Sequence, residues 1–222
     1  MKILCISDLI DPLVYSPNIK ERFSDIDLIL CAGDLPLDYL DFIVSCLNKP
    51  LYFVFGNHHI DDLPYFKNSE IQAGLPHDEH TRCCCGATHI GSQIKRENDL
   101  IIAGLGGCMR YNRGPNQYSD FRMYLEILRL LPAMLFHRIA HGRYVDILLT
   151  HAPPKGIHDK NDLCHRGFKA FVWFIKKFKP RYLVHGHIHL YDLSDVRITE
   201  MDGTSVVNAY GHYVLQFDRV QQ

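Results

Sequence analysis

The chain has 222 residues, 47% hydrophobic and 22% charged, so its composition is that of a folded protein with one sizeable core. Its formal net charge of −1 argues against the extended basic surface that broad nucleic-acid binding requires. No apolar run reaches the length of a membrane span, and the N-terminal run is too short for a signal peptide, so we expect a cytoplasmic protein with reduced cysteines.

Two short apolar runs near the N-terminus each end in a carboxylate. Residues 2–7 form a β-prone run that ends at Asp8, and residues 27–32 form a second run that is followed by Gly33 and Asp34. Apolar residues then recur at helical spacing over residues 37–47. This pattern predicts two strands joined through a crossover helix.

A third apolar run, residues 51–55, leads into Gly-Asn-His-His at 56–59. The alternation of strand, helix and strand predicts a sheet with parallel neighbours. Residues 60–86 lose this periodicity and are interpreted as a long connection.

That connection contains three adjacent cysteines at 83–85, with His77, His80 and His89 nearby. Adjacent thiols lack the two-residue gap of a zinc knuckle. We therefore favour a reduced loop or strand edge over a second metal site.

The segment after residue 89 is predicted to be a hairpin followed by a polar loop. Residues 90–94 and 100–105 flank a turn and predict the hairpin, and the glycines that follow lack the spacing of a dinucleotide-binding motif. The loop carries Arg110 and Arg113 among several tyrosines and asparagines. It is either an ordinary polar loop or a contact region for a phosphate group, so both arginines are candidate substrate ligands.

The next predicted elements alternate between helix and strand. Residues 121–139 have helical patterning interrupted by Pro132, which predicts two short helices. Residues 144–149 form a fourth apolar strand that runs into His151 and a pair of prolines. Residues 168–178 predict an amphipathic helix whose aromatic residues belong to the core.

The stretch after that helix holds two histidines at the spacing of metal ligands. Residues 182–184 predict a buried strand, and His187 and His189 then point to the same side of an extended backbone. Among 14 histidines, such a pair also arises by chance. Further on, apolar alternation around Asp202-Gly203 is typical of a hairpin and predicts an antiparallel C-terminal part.

Polar side chains thus follow each of these predicted strands. Ligands of open α/β sheets bind beyond the carboxyl ends of the strands, so we expect these side chains to converge. Each one alone is also typical of a turn, a helix cap or a structural histidine, but together they predict a metal site. The converging residues are Asp8, Asp34, Asn57, His58, His151, His187 and His189.

These residues, in this order, resemble the motifs of the calcineurin-like metallophosphoesterases. The matching stretches are Ser-Asp at 7–8, Gly-Asp at 33–34, Gly-Asn-His at 56–58, Thr-His-Ala-Pro-Pro at 150–154 and Gly-His-Ile-His at 186–189. The resemblance implies an α/β fold in which two mixed sheets form a four-layer α/β/β/α sandwich, built by residues 1–222 as a single domain. It also implies hydrolysis of a phosphodiester or phosphomonoester by metal-bound hydroxide.

The resemblance further implies one or two divalent ions. Asp34 would bridge two ions in this family, and Mn²⁺ or Fe is the family expectation, while the donor set would also accept Zn²⁺. The other implied ligands are Asn57, His151 and His187 at one ion, and Asp8 and His189 at the other.

A phosphorylated small molecule or a nucleotide-like compound is the implied substrate. Asn57 and His58 would contact the phosphate, with Arg110 and Arg113 as further candidates. His58 would also protonate the leaving oxygen. The pattern leaves a homo-oligomer open.

Two positions depart from the family pattern. Ile10 replaces the usual histidine of the first motif and cannot bind a metal, so one metal site is expected to be weakened. His59 replaces a residue that is commonly acidic. The alternative to an enzyme is a catalytically weak or inactive binding protein, since the retromer scaffold subunit also resembles this family; His58 favours the enzyme, and Ile10 favours the scaffold.

Overall fold

The fold is described from a computed structural model that covers residues 1–61, 63–67, 86–192 and 194–218. Two β-sheets occupy its centre. The cysteine run at 83–85, together with His77 and His80, lies outside the described residues.

The first β-sheet has five strands, most of which come from the N-terminal part of the chain. They are β1 (Lys2–Ser7), β2 (Leu28–Cys31), β3 (Leu51–Phe53), β4 (Ala87–His89) and β13 (Gly211–Gln216). Their order is β13-β1-β2-β3-β4, in which β1 to β4 are parallel neighbours and β13 is antiparallel to β1. Strands β1 to β3 are almost wholly buried, because this sheet is covered on both faces.

The second β-sheet has six strands from the remainder of the chain. They are β5 (Gln93–Glu97), β6 (Leu100–Leu105), β9 (Ile147–Thr150), β10 (Tyr182–His185), β11 (Ile198–Met201) and β12 (Thr204–Asn208). Their order is β11-β12-β10-β9-β6-β5, with four parallel central strands and an antiparallel strand at each edge. A short separate pair consists of β7 (Cys108–Met109) and β8 (Gln117–Tyr118).

Helices cover the outer face of each sheet. They are α1 (Ile19–Arg22), α2 (Leu37–Leu47), α3 (Leu63–Lys67), α4 (Asp120–His141) and α5 (Lys169–Phe178). Apolar side chains of α1 and α2 pack with β1, β2 and β3, and those of α4 and α5 pack with β6, β9 and β10.

A third apolar cluster joins the two sheets. It contains Ile3 and Leu30 from the first sheet together with Ile147 and Val184 from the second, all of them fully buried. The layers therefore run helix, sheet, sheet, helix. The predicted four-layer α/β/β/α sandwich is confirmed.

The prediction of two short helices around Pro132 is wrong, because α4 is one helix of 22 residues. Proline lacks the N–H that would bond to the carbonyl oxygen of Leu128, and both residues are exposed, so water can bond to that oxygen instead. Both ends of the helix are also capped. The Ser119 hydroxyl accepts a backbone N–H of the first turn, and Gly142 ends the helix with a φ of 75°.

The prediction of an antiparallel C-terminal part is correct for the hairpin of β11 and β12. It does not describe how β12 and β13 pair with the other strands. Asp202 and Gly203 have φ values of 50° and 82° and join β11 to β12. Strand β12, however, is parallel to β10, and β13 crosses to the first sheet. A local pattern of alternation does not say which sheet a strand will join. No described helix is long and apolar enough to cross a membrane.

A matched pair of valines tests the cluster between the sheets. Val184 is fully buried in that cluster, whereas Val214 of β13 is 37% exposed. Val184→Ala should lower the free energy of unfolding by about 2 kcal/mol, because it leaves a cavity, and Val214→Ala should change it by less than about 0.5 kcal/mol. Urea denaturation of the two variants measures both. Equal losses would contradict the placement of Val184 between the sheets.

Candidate metal centre

The candidate ligands lie in tight turns that follow the strands. Asp8 follows β1, Asp34 follows β2 and His187 follows β10, and their φ values are 61°, 56° and 65°. The extended backbone predicted at His187 is therefore wrong, because its φ is left-handed. Left-handed backbone is costly for residues with a side chain and persists where the surroundings hold it in place. Gly56 permits close packing around these turns, because a Cβ at this position would lie 2.5 Å from Cε1 of His151.

Asp34, His151 and His187 form a buried cluster whose ligand atoms all lie within 4.8 Å of one another. Nε2 of His151 lies 3.3 Å from Oδ2 of Asp34 and 3.2 Å from Oδ1 of Asn57. The exposed fraction is 9% for Asp34, 8% for Asn57, 0% for His151 and 5% for His187. A carboxylate, an amide oxygen and two imidazoles therefore meet in one buried place.

Backbone carbonyl groups orient both imidazoles of the cluster. Nδ1 of His151 lies 2.8 Å from the carbonyl oxygen of Ala32, and Nε2 of His187 lies 2.8 Å from that of Cys164. Each of these ring nitrogens donates its proton to the carbonyl, which fixes the tautomer. Nε2 of His151 and Nδ1 of His187 remain as the nitrogens that can bind an ion.

Asp34 and His151 shift each other's pKa in opposite directions. Burial alone would raise the pKa of Asp34, but the charge and hydrogen bond of His151 and the N–H of His58 outweigh it and lower that pKa to about 2. Burial alone would lower the pKa of His151, but Asp34 outweighs it and raises that pKa to about 9. Without a metal, His151 therefore holds a proton that balances the carboxylate.

His187 remains neutral beside that pair. Burial and the charge on His151 lower the pKa of His187 to about 4. The cluster thus offers one carboxylate, one neutral imidazole and one imidazole whose proton a divalent cation would displace. This donor set fits a divalent transition metal.

Asp8 and His189 form a second pair next to the cluster. Oδ2 of Asp8 accepts the backbone N–H of His187 at 2.9 Å, and Oδ1 lies 3.7 Å from Nε2 of His189. The His189 ring stacks on Tyr210 at 4.8 Å, and its Nδ1 lies 2.7 Å from the hydroxyl of Tyr191. The side chain of Asp8 is 2% exposed and that of His189 is 39% exposed, so the pair runs from the buried interior to the rim.

The loop after β3 places His58 at the mouth of the cluster. Its backbone N–H donates to Oδ1 of Asp34 at 2.7 Å, and the residue itself is exposed. His59 is also exposed and has a φ of 49°. Ile10 is 43% exposed. The nearby carboxylate of Asp11 accepts from Nδ1 of His212 at 2.6 Å, so it is already engaged.

Arg110 and Arg113 lie exposed on the segment between β7 and β8. That segment reaches the cluster through Tyr111, whose hydroxyl accepts a long hydrogen bond of 3.5 Å from the amide of Asn57. The amide of Asn116 holds the turn from the other side, donating to the carbonyl oxygen of Gly56 at 2.7 Å.

Several supporting groups were missed by sequence reasoning. They are the carbonyl groups of Ala32 and Cys164 and the amide of Asn116. Any residue carries a carbonyl group, and an asparagine in a polar loop is common, so neither gives a signal in the sequence.

Another pair of histidines is structural. Nδ1 of His158 lies 2.8 Å from Nε2 of His185, and Nε2 of His158 lies 2.9 Å from the hydroxyl of Thr199. Burial lowers the pKa of His185 to about 3 and that of His158 to about 4, so both rings are neutral. This chain of hydrogen bonds ties the end of β10 to the loop after β9 and to β11.

A four-layer sandwich with an Asp-His-His cluster at its strand ends has the architecture of a metallophosphoesterase. The model of the calcineurin-like phosphoesterase family matches residues 1–191, and the chain belongs to that family. A search of curated proteins finds no significant match.

Solved structures that resemble this chain share little of its sequence. TT1561 of Thermus thermophilus is 14% identical, with a TM-score of 0.60 over 95% of this chain and 89% of that one. Wild-type Vps29 of Entamoeba histolytica, in complex with zinc, is 14% identical, with a TM-score of 0.41 over 95% and 74%. A novel archaeal phosphodiesterase is 14% identical, with a TM-score of 0.40 over 95% and 84%.

Removal of single ligands tests the cluster. Asp34→Ala should abolish Mn²⁺ binding, and His187→Ala should weaken it at least about tenfold, because each removes a donor of the same buried site. His141→Ala, at the end of α4, is the matched control and should bind like the wild type. Calorimetric titration of Mn²⁺ into metal-free protein gives all these affinities. Unchanged binding by Asp34→Ala would refute the assignment.

The same titration has an expected pH dependence. Because the ion must displace the proton of His151, whose pKa is about 9, affinity should rise with pH by up to about tenfold per unit between pH 6 and 8. A flat profile over this range would show that His151 does not bind the ion.

Proposed function

We propose that this chain is a metal-dependent phosphoesterase that hydrolyses a phosphomonoester or a phosphodiester. The observation that carries the proposal is the buried cluster of Asp34, His151 and His187, with Asn57 beside it, at the strand ends. A bound divalent ion would acidify a water molecule and offset the charge of a phosphate, which is the chemistry that this reaction needs. Mn²⁺, Fe and Zn²⁺ all suit the donors.

The ligands divide into two groups in this proposal. Asn57, His151 and His187 would hold one ion, Asp8 and His189 would hold a second, and Asp34 would contribute to both. Support for this division comes from two features, the burial of the first group and the position of the Asp8 carboxylate on the backbone N–H of His187. Since the second group offers fewer donors, an ion there would be held more weakly.

His58 is the proposed proton donor to the leaving oxygen. Its backbone is fixed by the hydrogen bond to Asp34, while its imidazole is on the exposed side of the turn, where a substrate would arrive. A group that donates a proton must reach the substrate, and an exposed imidazole at the mouth can do so. Asp34 acts through the ions and through this hydrogen bond.

The substrate is proposed to be a phosphorylated small molecule or a nucleotide-like compound. Arg110 and Arg113 are exposed on the segment that meets Asn57 through Tyr111. Guanidinium groups bind phosphate oxygens through paired hydrogen bonds, so these two residues are suited to a second phosphate or to the ester group. We also propose that residues 1–222 act as a single domain in the cytoplasm.

A second candidate function is a scaffold on the same fold. One observation favours it, namely that Ile10 is apolar and 43% exposed where the family has a metal-binding histidine. In that case the cluster would bind metal without turnover. Hydrolysis assays therefore decide between the two candidates.

Neighbouring histidines allow a matched test of the proton donor. His58→Ala should lower turnover of an alkyl phosphate by about 10²–10⁴-fold, because a basic leaving oxygen needs a proton, while the loss for p-nitrophenyl phosphate should be smaller. His59→Ala is the control and should retain most activity. Metal content should stay unchanged in both variants. An equal loss for both substrates would assign His58 to phosphate binding alone.

Restoring the family residue tests the weak ion site. Ile10→His should raise metal stoichiometry toward two ions per chain, because it adds an imidazole next to Asp8. Leu13→His, at another exposed apolar position of the same loop, should leave the stoichiometry unchanged. Elemental analysis of the purified proteins gives these values. Two tightly held ions in the wild type would contradict the idea of a weak site.

A further inference from the structure

The outward side of α4 carries a stripe of large apolar side chains in solvent. Phe121 is 72% exposed, Leu128 45%, Leu135 51%, Phe136 63% and Ile139 87%. The opposite side of the helix is also apolar and lies in the core of the second sheet. A helix that is apolar on both sides leaves one side to be covered by something else.

Four of these five exposed residues form a straight line along the helix, and Phe136 lies to one side of it. At 3.6 residues per turn, Phe121, Leu128, Leu135 and Ile139 fall within about 40° of one another, and Pro132 lies about 20° beyond this span. With a rise of 1.5 Å per residue, the stripe is about 27 Å long. We call this line of side chains the apolar stripe.

Basic side chains border the apolar stripe on both sides. Arg122 and Arg129 lie on one side and Arg138 on the other, and all three are exposed. The neighbouring α5 adds Lys169 and Lys176, also exposed. Together α4 and α5 contain six basic and two acidic residues, a net charge of +4 on a chain whose total is −1.

Glu126 offsets part of that positive charge, because it pairs with two of the arginines, and Asp120 caps α5. Glu126 is 6% exposed and lies 3.1 Å from Arg122 and 2.7 Å from Arg129. Oδ1 of Asp120 accepts the backbone N–H groups of Lys169 and Ala170 at the start of α5. The outer face of α4 and α5 therefore carries a net positive charge around the apolar stripe.

Aromatic rings fill the seam between the two helices. Tyr124 of α4 and Trp173 of α5 meet edge to face at 5.6 Å, and both are partly exposed. Tyrosine and tryptophan prefer the boundary between apolar and polar phases, because their rings are apolar and their edges carry a polar group.

We propose that the outer face of α4 and α5 docks on the surface of an anionic phospholipid membrane. The apolar stripe would enter the boundary between head groups and acyl chains, while the arginines and lysines would bind lipid phosphates. A second copy of this chain fits less well, because it would bring two faces of net positive charge together, and one helix width is small for a stable dimer. This proposal is independent of the phosphoesterase activity.

Sedimentation with vesicles tests the proposal. The full chain should bind vesicles made of equal parts phosphatidylcholine and phosphatidylserine, and bind vesicles of phosphatidylcholine alone at least about tenfold more weakly. Leu135→Glu/Ile139→Glu should weaken binding to the anionic vesicles at least about tenfold. Its control, Leu163→Glu/Val196→Glu, changes two exposed apolar residues outside α4 and α5 and should bind like the wild type.

A charge-reversal pair tests the basic layer separately. Lys169→Glu/Lys176→Glu should weaken binding to the anionic vesicles at least about tenfold, whereas Lys20→Glu/Lys160→Glu, which changes exposed lysines elsewhere, should have little effect. Circular dichroism checks that each variant is folded.

Other results would overturn the proposal. They are equal binding to both kinds of vesicle, no binding to either, or equal losses in a variant and its control. If light scattering showed a dimer that Leu135→Glu/Ile139→Glu dissociates, and vesicles bound nothing, the apolar stripe would be an interface between two copies.

Discussion

The contact between Asp34 and His151 is the constraint around which the molecule is arranged. Asp34 follows a strand of the first sheet and His151 follows a strand of the second, so their contact at 3.3 Å spans the two central layers. The hydrogen bond from His151 to the carbonyl oxygen of Ala32 adds a second link between the same two turns. Gly56 completes the junction, because any side chain there would collide with His151. The sheets must therefore pack closely for the cluster to exist.

This close packing has an electrostatic consequence. A buried carboxylate with pKa of about 2 needs a positive partner, and His151 supplies it as a proton when no metal is bound. A divalent ion would take over that role and release the proton. The left-handed turns at Asp8, Asp34 and His187 are held by backbone hydrogen bonds and by packing.

Most of the fold was accessible from local patterns, because buried parallel strands leave long apolar runs and end in polar turns. The candidate ligands were accessible for the same reason, since each follows such a run. Features that depend on the solvation of a helix face or on pairing with a distant strand were not. The continuity of α4 across Pro132 depends on solvent around Leu128 and on two capped ends. The crossing of β13 to the first sheet depends on its pairing with β1.

The contacts that support the metal cluster lead from it to the outer helices. His187 is oriented by the carbonyl group of Cys164, and the loop that carries Cys164 leads directly into α5. The start of α5 is in turn capped by Asp120 of α4. One continuous stretch of chain therefore connects the metal cluster to the basic helical layer. A membrane bound to this layer would contact the helix that directly follows the segment that orients His187. The metal cluster and the membrane-docking face are therefore linked through this loop, although they bind different ligands.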